Sequence, residues 1–129
     1  LTHIEHVALW ARDIERLRTF YVEALGGRSG PLYENPRTGF RSYFVSFAGG
    51  ARLELMGRAD VAFARAGPDP SPGLAHLAFR VGGRDAVDAT VARLLEAGVA
   101  IVSAPRTTGD GYYEAVVVDP EGNRLEIVA

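Results

Sequence analysis

Apolar and polar residues alternate along four short stretches of this chain, and the four fall into two matching pairs. The first pair is His6-Val7-Ala8-Leu9-Trp10 and Arg52-Leu53-Glu54-Leu55-Met56. The second is His76-Leu77-Ala78-Phe79-Arg80 and Arg124-Leu125-Glu126-Ile127-Val128. A period of two marks strands with one covered face. After the first stretch the period changes. Asp13 is a good N-cap, Ile14, Leu17, Phe20, Tyr21 and Leu25 follow at helical spacing, and Gly26-Gly27 stops the helix. A short strand near 28–33 is predicted next, then a turn over Asn35-Pro36-Arg37-Thr38-Gly39 and a hairpin of 40–48 and 51–57 through Gly49-Gly50. The second half repeats the order: a strand near 75–81, a helix near 84–97 ended by Gly98 and a strand near 99–103. A hairpin of 112–118 and 124–128 follows, turning at Asp119-Pro120-Glu121-Gly122-Asn123. Residues 59–74, with Pro68, Pro70 and Pro72, read as a linker, in which Asp60 to Ala66 has room for a short helix.

The matching pairs therefore lie in a duplicated unit. His6 and His76 are offset by 70 positions, and Arg52-Leu53-Glu54 and Arg124-Leu125-Glu126 by 72. Gly39 and Gly50 match Gly111 and Gly122 at the second offset, and each half carries a Pro-Arg-Thr stretch (36–38 and 105–107) that reads as a turn. A spacing near 70 is too long for a solenoid. It describes one module, 1–58, copied as another, 75–129, within a single domain of 1–129.

Alternation sorts the side chains by face. Val7 and Leu9, Leu53 and Leu55, Leu77 and Phe79, and Leu125 and Ile127 lie on faces a helix can cover. His6, Glu54, His76 and Glu126 lie on the opposite faces, and small Ala8 and Ala78 leave space beside the two imidazoles. A polar residue on the open face of a sheet is by default simply solvated. Two imidazoles and two carboxylates recurring at matched positions make a divalent-metal site the leading idea instead. His3 has no counterpart, position 73 being Gly, and reads as a surface or edge residue.

Composition narrows the chemistry. The 129 residues suit one compact domain, and a formal charge of −2 points away from nucleic acid and anionic membranes. No apolar run approaches the roughly 20 residues of a membrane span. No signal peptide is visible, so a cytoplasmic protein is expected. The chain has no Cys, which removes disulfides, thiolate ligands and a Cys nucleophile. All 14 basic residues are Arg, which removes Schiff-base and P-loop lysine chemistry.

With paired βαβββ modules, a His near the start of each and a Glu on each last strand, the chain resembles the vicinal oxygen chelate superfamily. That group includes glyoxalase I, methylmalonyl-CoA epimerase, extradiol dioxygenases, fosfomycin-resistance enzymes and bleomycin-resistance proteins. His76-Leu77-Ala78-Phe79 and Asp119-Pro120-Glu121-Gly122-Asn123-Arg124-Leu125-Glu126-Ile127 are its most specific pieces, and the size and ligand order most resemble bacterial glyoxalase I. The resemblance implies an α+β fold with eight strands in an open, barrel-like cup. It implies one divalent metal on His6, Glu54, His76 and Glu126, with nickel or zinc foremost and manganese or cobalt as further options. It implies a Lewis-acid reaction through an enediolate, with Glu126 as first choice of proton carrier and Glu54 as second. It also implies a homodimer acting on a small molecule.

Two departures bear on the substrate. Bacterial glyoxalase I has an Arg four residues after the first His and an Asn four residues after the first Glu; here these are Trp10 and Arg58. The glutathione site is thus not reproduced, and Trp10, Arg41, Tyr43, Met56, Arg58, Tyr112 and Tyr113 are candidates for lining a different pocket. The leading function is a metal-dependent isomerase or lyase of glyoxalase I (lactoylglutathione lyase) type acting on a small carbonyl compound. The alternatives are an epimerase of methylmalonyl-CoA type and a drug-binding resistance protein without catalysis.

Overall fold

In the computed structural model, which describes residues 1–63 and 70–129, the chain forms two compact units, Leu1–Arg65 and Ala66–Ala129. Each unit is an α+β layer pair: a helix covering one face of a mainly antiparallel sheet.

In the first unit β1 (His6–Trp10) leads into α1 (Ile14–Thr19), which continues as a π-helical turn, Phe20–Ala24. Asp13 caps α1 by accepting the Arg16 N–H at 3.0 Å. Strands β2 (Arg28–Ser29), β3 (Tyr33–Glu34), β4 (Arg41–Ser46) and β5 (Arg52–Gly57) follow. The sheet order is β1-β5-β4-β2, with β3 also paired to β4. The single short strand expected near 28–33 is thus two pieces along one neighbour. Pro31 stands between them and has no N–H to offer the ladder. His3 lies ahead of β1, outside the sheet.

The second unit runs β6 (Leu77–Arg80), α2 (Arg84–Glu96), β7 (Ile101–Thr107), β8 (Tyr113–Val118) and β9 (Arg124–Val128), in the order β6-β9-β8-β7. Pro105-Arg106-Thr107, expected as a turn, is the end of β7. β7 is an edge strand, and its register slips between Ser103 and Arg106, where Pro105 sits. The Asp119 turn is built as its composition demands: one carboxylate oxygen accepts the N–H groups of Glu121 and Asn123, each at 2.9 Å. Nine strands are thus present among the described residues, against eight expected. The linker expected over 59–74 falls partly on residues 64–69, outside the described residues, as does the end of the helix expected from Asp60. The described residues 61–63 carry no regular structure.

The cores follow the alternation. In the first unit Ile14, Leu17, Phe20 and Tyr21 are buried with Tyr43, Val45, Leu53 and Leu55. In the second, Val87, Val91 and Leu94 are buried with Ala115, Val117, Leu125 and Ile127. These aliphatic sets occupy one face of each sheet, so the His and Glu residues are left on the other. Among the described residues no helix is long and apolar enough to cross a membrane.

Candidate functional site

The step that builds the candidate site is the parallel pairing of each first strand with its unit's last. β1 lies beside β5 with Ala8 opposite Glu54, and β6 lies beside β9 with Ala78 opposite Glu126. Each Glu therefore faces the smallest side chain of its neighbour, and each His stands two residues earlier on the same face. The result is a His–Glu pair in each unit. His6 Nε2 is 3.8 Å from Glu54 Oε1, and His76 Nε2 is 3.2 Å from Glu126 Oε1. Both carboxylates are sheltered, with side chains 16% and 22% exposed, and the imidazoles are more open, at 40% and 42%.

These separations bear on a metal. Two donors about 2.1 Å from one ion, at ordinary coordination angles, stand about 3.0–3.4 Å apart. The His76–Glu126 pair matches that spacing, and His6–Glu54 is slightly wider. A ring nitrogen lone pair facing a carboxylate oxygen is repulsive unless a cation, either a proton or a metal, lies between them. Each unit therefore sets one imidazole nitrogen beside one carboxylate oxygen. Among the described residues no three His, Asp or Glu side chains gather as a ready-made metal cluster.

His6 has a further support that sequence reasoning missed. Its Nδ1 is hydrogen-bonded to the Glu5 carboxylate, and Glu5 is in turn held by Arg52, the residue opposite His6 on β5. The His6 hydrogen bond, and then Arg52, hold the Glu5 carboxyl below its usual range. A proton on Nδ1 donated to Glu5 leaves the Nε2 lone pair toward Glu54, which is how ligating imidazoles are commonly oriented. The Phe44 ring meets the imidazole edge-on at 5.4 Å. The signal was an acid directly ahead of the first His; the matched position in the second half is Ala75.

The second unit has its own unexpected member. Glu114, on β8, is only 7% exposed, lies on the face of Glu126 and shares a hydrogen bond with it. Burial chiefly, and then the neighbouring Glu126, push the Glu114 carboxyl above its usual range, and Arg106 on β7 acts against them. The sequence signal was a lone acid opening the apolar run Ala115-Val116-Val117-Val118.

The expected pocket-lining residues divide. Trp10 pairs with Met56 on the Glu54 face, and the Arg58 guanidinium sits over the Trp10 ring at 5.4 Å. Tyr43 lies on the opposite, helix-covered face, where its hydroxyl donates to Glu15 of α1 at 2.6 Å. Arg41 shares that side and pairs with Glu34 at 3.1 Å and Glu15 at 3.5 Å. Tyr113 ties β8 to α2 by donating to Asp88 at 2.5 Å, under the Arg84 guanidinium. Tyr112 is half exposed in the turn that Thr108 closes. Of the seven, Trp10, Met56 and Arg58 stand beside the His6–Glu54 pair, and Tyr43 and Tyr113 fasten helices to sheets.

Known structures share the fold of this chain. A crystal structure of a glyoxalase family protein from Enterococcus faecalis superposes with a TM-score of 0.79 at 28% identity, covering 99% of this chain and 98% of that one. The trypanothione-dependent glyoxalase I of Leishmania major shares the fold at a TM-score of 0.78 and 24% identity, over 99% of this chain and 86% of that one. Lactoylglutathione lyase from Agrobacterium tumefaciens does so at 0.70 and 22%, over 99% and 93%. No curated protein matches the chain. The family model described as Glyoxalase/Bleomycin resistance protein/Dioxygenase superfamily matches residues 3–127, and the chain belongs to that superfamily.

Proposed function

We propose that this protein is a metal-dependent isomerase or lyase of glyoxalase I type, acting on a small carbonyl compound. The observation that carries the reading is the repeated His–Glu pair, side by side on the open face of each sheet at 3.8 and 3.2 Å. His6, Glu54, His76 and Glu126 would together hold one divalent ion, with nickel or zinc suited to two imidazoles and two carboxylates. The two carboxylates balance the 2+ charge, so neutral imidazoles leave the site neutral. When bound, the ion supplies Lewis-acid stabilisation of the oxyanion that develops on a carbonyl substrate.

The chain's own groups supply the proton transfer. A carboxylate beside the substrate takes a proton from the carbon next to the carbonyl and returns it to the neighbouring carbon, so the reaction is an isomerisation with no net loss of atoms. Glu126 is assigned this part because Glu114 offers it a hydrogen bond that can hold it in place as its charge changes. Glu54, which has no carboxyl neighbour of that kind among the described residues, is assigned to holding the metal. An epimerase next to a thioester would use the same groups. The protein would act as a dimer, in keeping with the fold family, and each site would accept one small molecule.

The test is elemental analysis of the purified protein and of Glu126→Ala, after incubation with nickel and with zinc. About one ion per chain, lost or weakened in the variant, is expected and would justify a screen of glyoxalase and epimerase substrates. No stoichiometric metal in the wild-type protein would overturn the catalytic reading in favour of a metal-free binding protein.

A further inference from the structure

The duplication allows a comparison within one chain. The His and Glu positions are the same in both halves, so they serve a task the halves share. Trp10 is not: its matched residue is Arg80, whose guanidinium is bonded to the Ala129 carbonyl. Trp10 ends the strand that carries His6 and faces the same way as His6 and Glu54. It is the chain's only Trp, and it is 40% exposed.

The ring is also held. Phe40 meets it edge-on at 6.1 Å, and Tyr33, itself 56% exposed, packs against Phe40 at 6.1 Å. Three aromatic rings thus form an apolar surface open to water, with the Arg58 guanidinium over the Trp10 ring. Asp60 engages the Arg58 guanidinium at Nε, and among the described residues no ion pair uses its terminal nitrogens. Arg58 also lines a depression of about 570 Å³, together with Arg12 and Arg41 and the acids Asp13 and Glu15. An apolar surface ending in a guanidinium fork complements a ring or planar apolar group that carries a carboxylate.

We infer that the Trp10–Phe40–Tyr33 surface and Arg58 form a substrate subsite for small aromatic or planar apolar acids. The inference deepens the metal-dependent reading and rests on it for the word substrate. The binding subsite itself stands without a metal. The ring lies against Trp10 and the carboxylate on Arg58, which orients the remainder of the molecule along the strand toward Glu54.

The experiment follows Trp10 emission, excited at 295 nm where phenyl groups do not absorb, during titration with 3-phenylpropanoate. Propanoate and 3-phenylpropanol are run beside it, as acid without ring and ring without acid. Both metal-stripped and zinc-loaded protein are used, zinc being a closed-shell ion. The expected result is a saturable shift with 3-phenylpropanoate in both preparations, and at least tenfold weaker responses to the two comparators. Arg58→Gln is expected to abolish the preference for the acid over the alcohol. Trp10→Leu, followed by calorimetry because it is dark, is expected to lose at least tenfold in affinity. Absence of saturation in both preparations, equal responses to all three compounds, or an unaltered preference in Arg58→Gln would each overturn the subsite. Because stripped protein is measured directly, failure of the subsite and failure of the metal site are read separately.

Discussion

Gly27 lies where the π-helical turn passes into β2, and the chain has almost no room there. A Cβ at this position would stand 2.5 Å from Val45 Cγ1 and 2.9 Å from the Tyr21 carbonyl oxygen. Neither neighbour can yield cheaply. Val45 is fully buried in β4, and the Tyr21 carbonyl accepts the Gly27 N–H at 2.9 Å. The backbone of Gly27 is not left-handed, so Gly27→Ala tests packing alone. Overpacking of this kind costs about 1–3 kcal/mol. The restricted unfolded chain returns about 0.4–1 kcal/mol. A clash this close, against backbone and a fully buried side chain, falls in the upper part of the overpacking range, at about 2–3 kcal/mol, so the net expected loss is about 1–2.5 kcal/mol. With an unfolding entropy of about 0.27 kcal/mol/K for a chain of this length, the melting temperature should fall by about 4–9 °C. Two other glycines are controls. Gly49 has nothing within 4 Å of a Cβ and no left-handed backbone, so Gly49→Ala should melt with the wild type or slightly above it. Gly50 also has open space but sits at φ +78°, so Gly50→Ala should lose about 1–2 kcal/mol from conformation alone. Thermal unfolding by circular dichroism reads all three. Gly27→Ala melting within about 1 °C of the wild type, well inside the shift that packing predicts, would refute the reasoning. So would an equal loss in Gly49→Ala.

Two further predictions concern the groups behind the proposed metal ligands. Glu5→Gln removes the charged partner of His6 Nδ1 and should weaken zinc binding about 10–100-fold by calorimetry, with the melting curve of the metal-free protein little changed; unchanged affinity would show that Glu5 does not orient the ring. Glu114→Gln keeps the shape of a buried side chain and removes its ionisation. Because the folded-state value of Glu114 lies above its unfolded value of 4.5, its favourable contribution is complete below pH 4.5 and is lost as pH rises through the raised value. In chelator-treated protein, Glu114→Gln should therefore gain on the wild type between pH 4.5 and neutrality; parallel urea midpoints across that range would contradict the assignment.

Some of the surprises trace to chemistry that a period of two cannot express. Tyr43 and Tyr113 are aromatic and polar at once, so the sequence leaves open whether the hydroxyl serves a ligand or a helix; Glu15 and Asp88, far away in the chain, claim them. Pro105 reads as a turn residue, yet an edge strand with a slipped register tolerates it. The helix after Asp13 was legible from its cap and its apolar spacing, but its change to π-helical winding at Phe20 was not. Glu114 was on a predicted strand, and only the register with β9 reveals its carboxyl neighbour.

The sequence by itself determined the duplicated plan, the family resemblance and the face each candidate ligand occupies, because alternation along a strand is a local property of the backbone. It left undecided which strands lie side by side. Only the tertiary structure set β1 parallel to β5 and β6 parallel to β9, and so brought His6 to Glu54 and His76 to Glu126 across 48 and 50 residues of chain. Pairing of distant strands depends on hydrogen bonds and packing between segments that no local pattern relates, and it is this pairing that brings each imidazole beside its carboxylate.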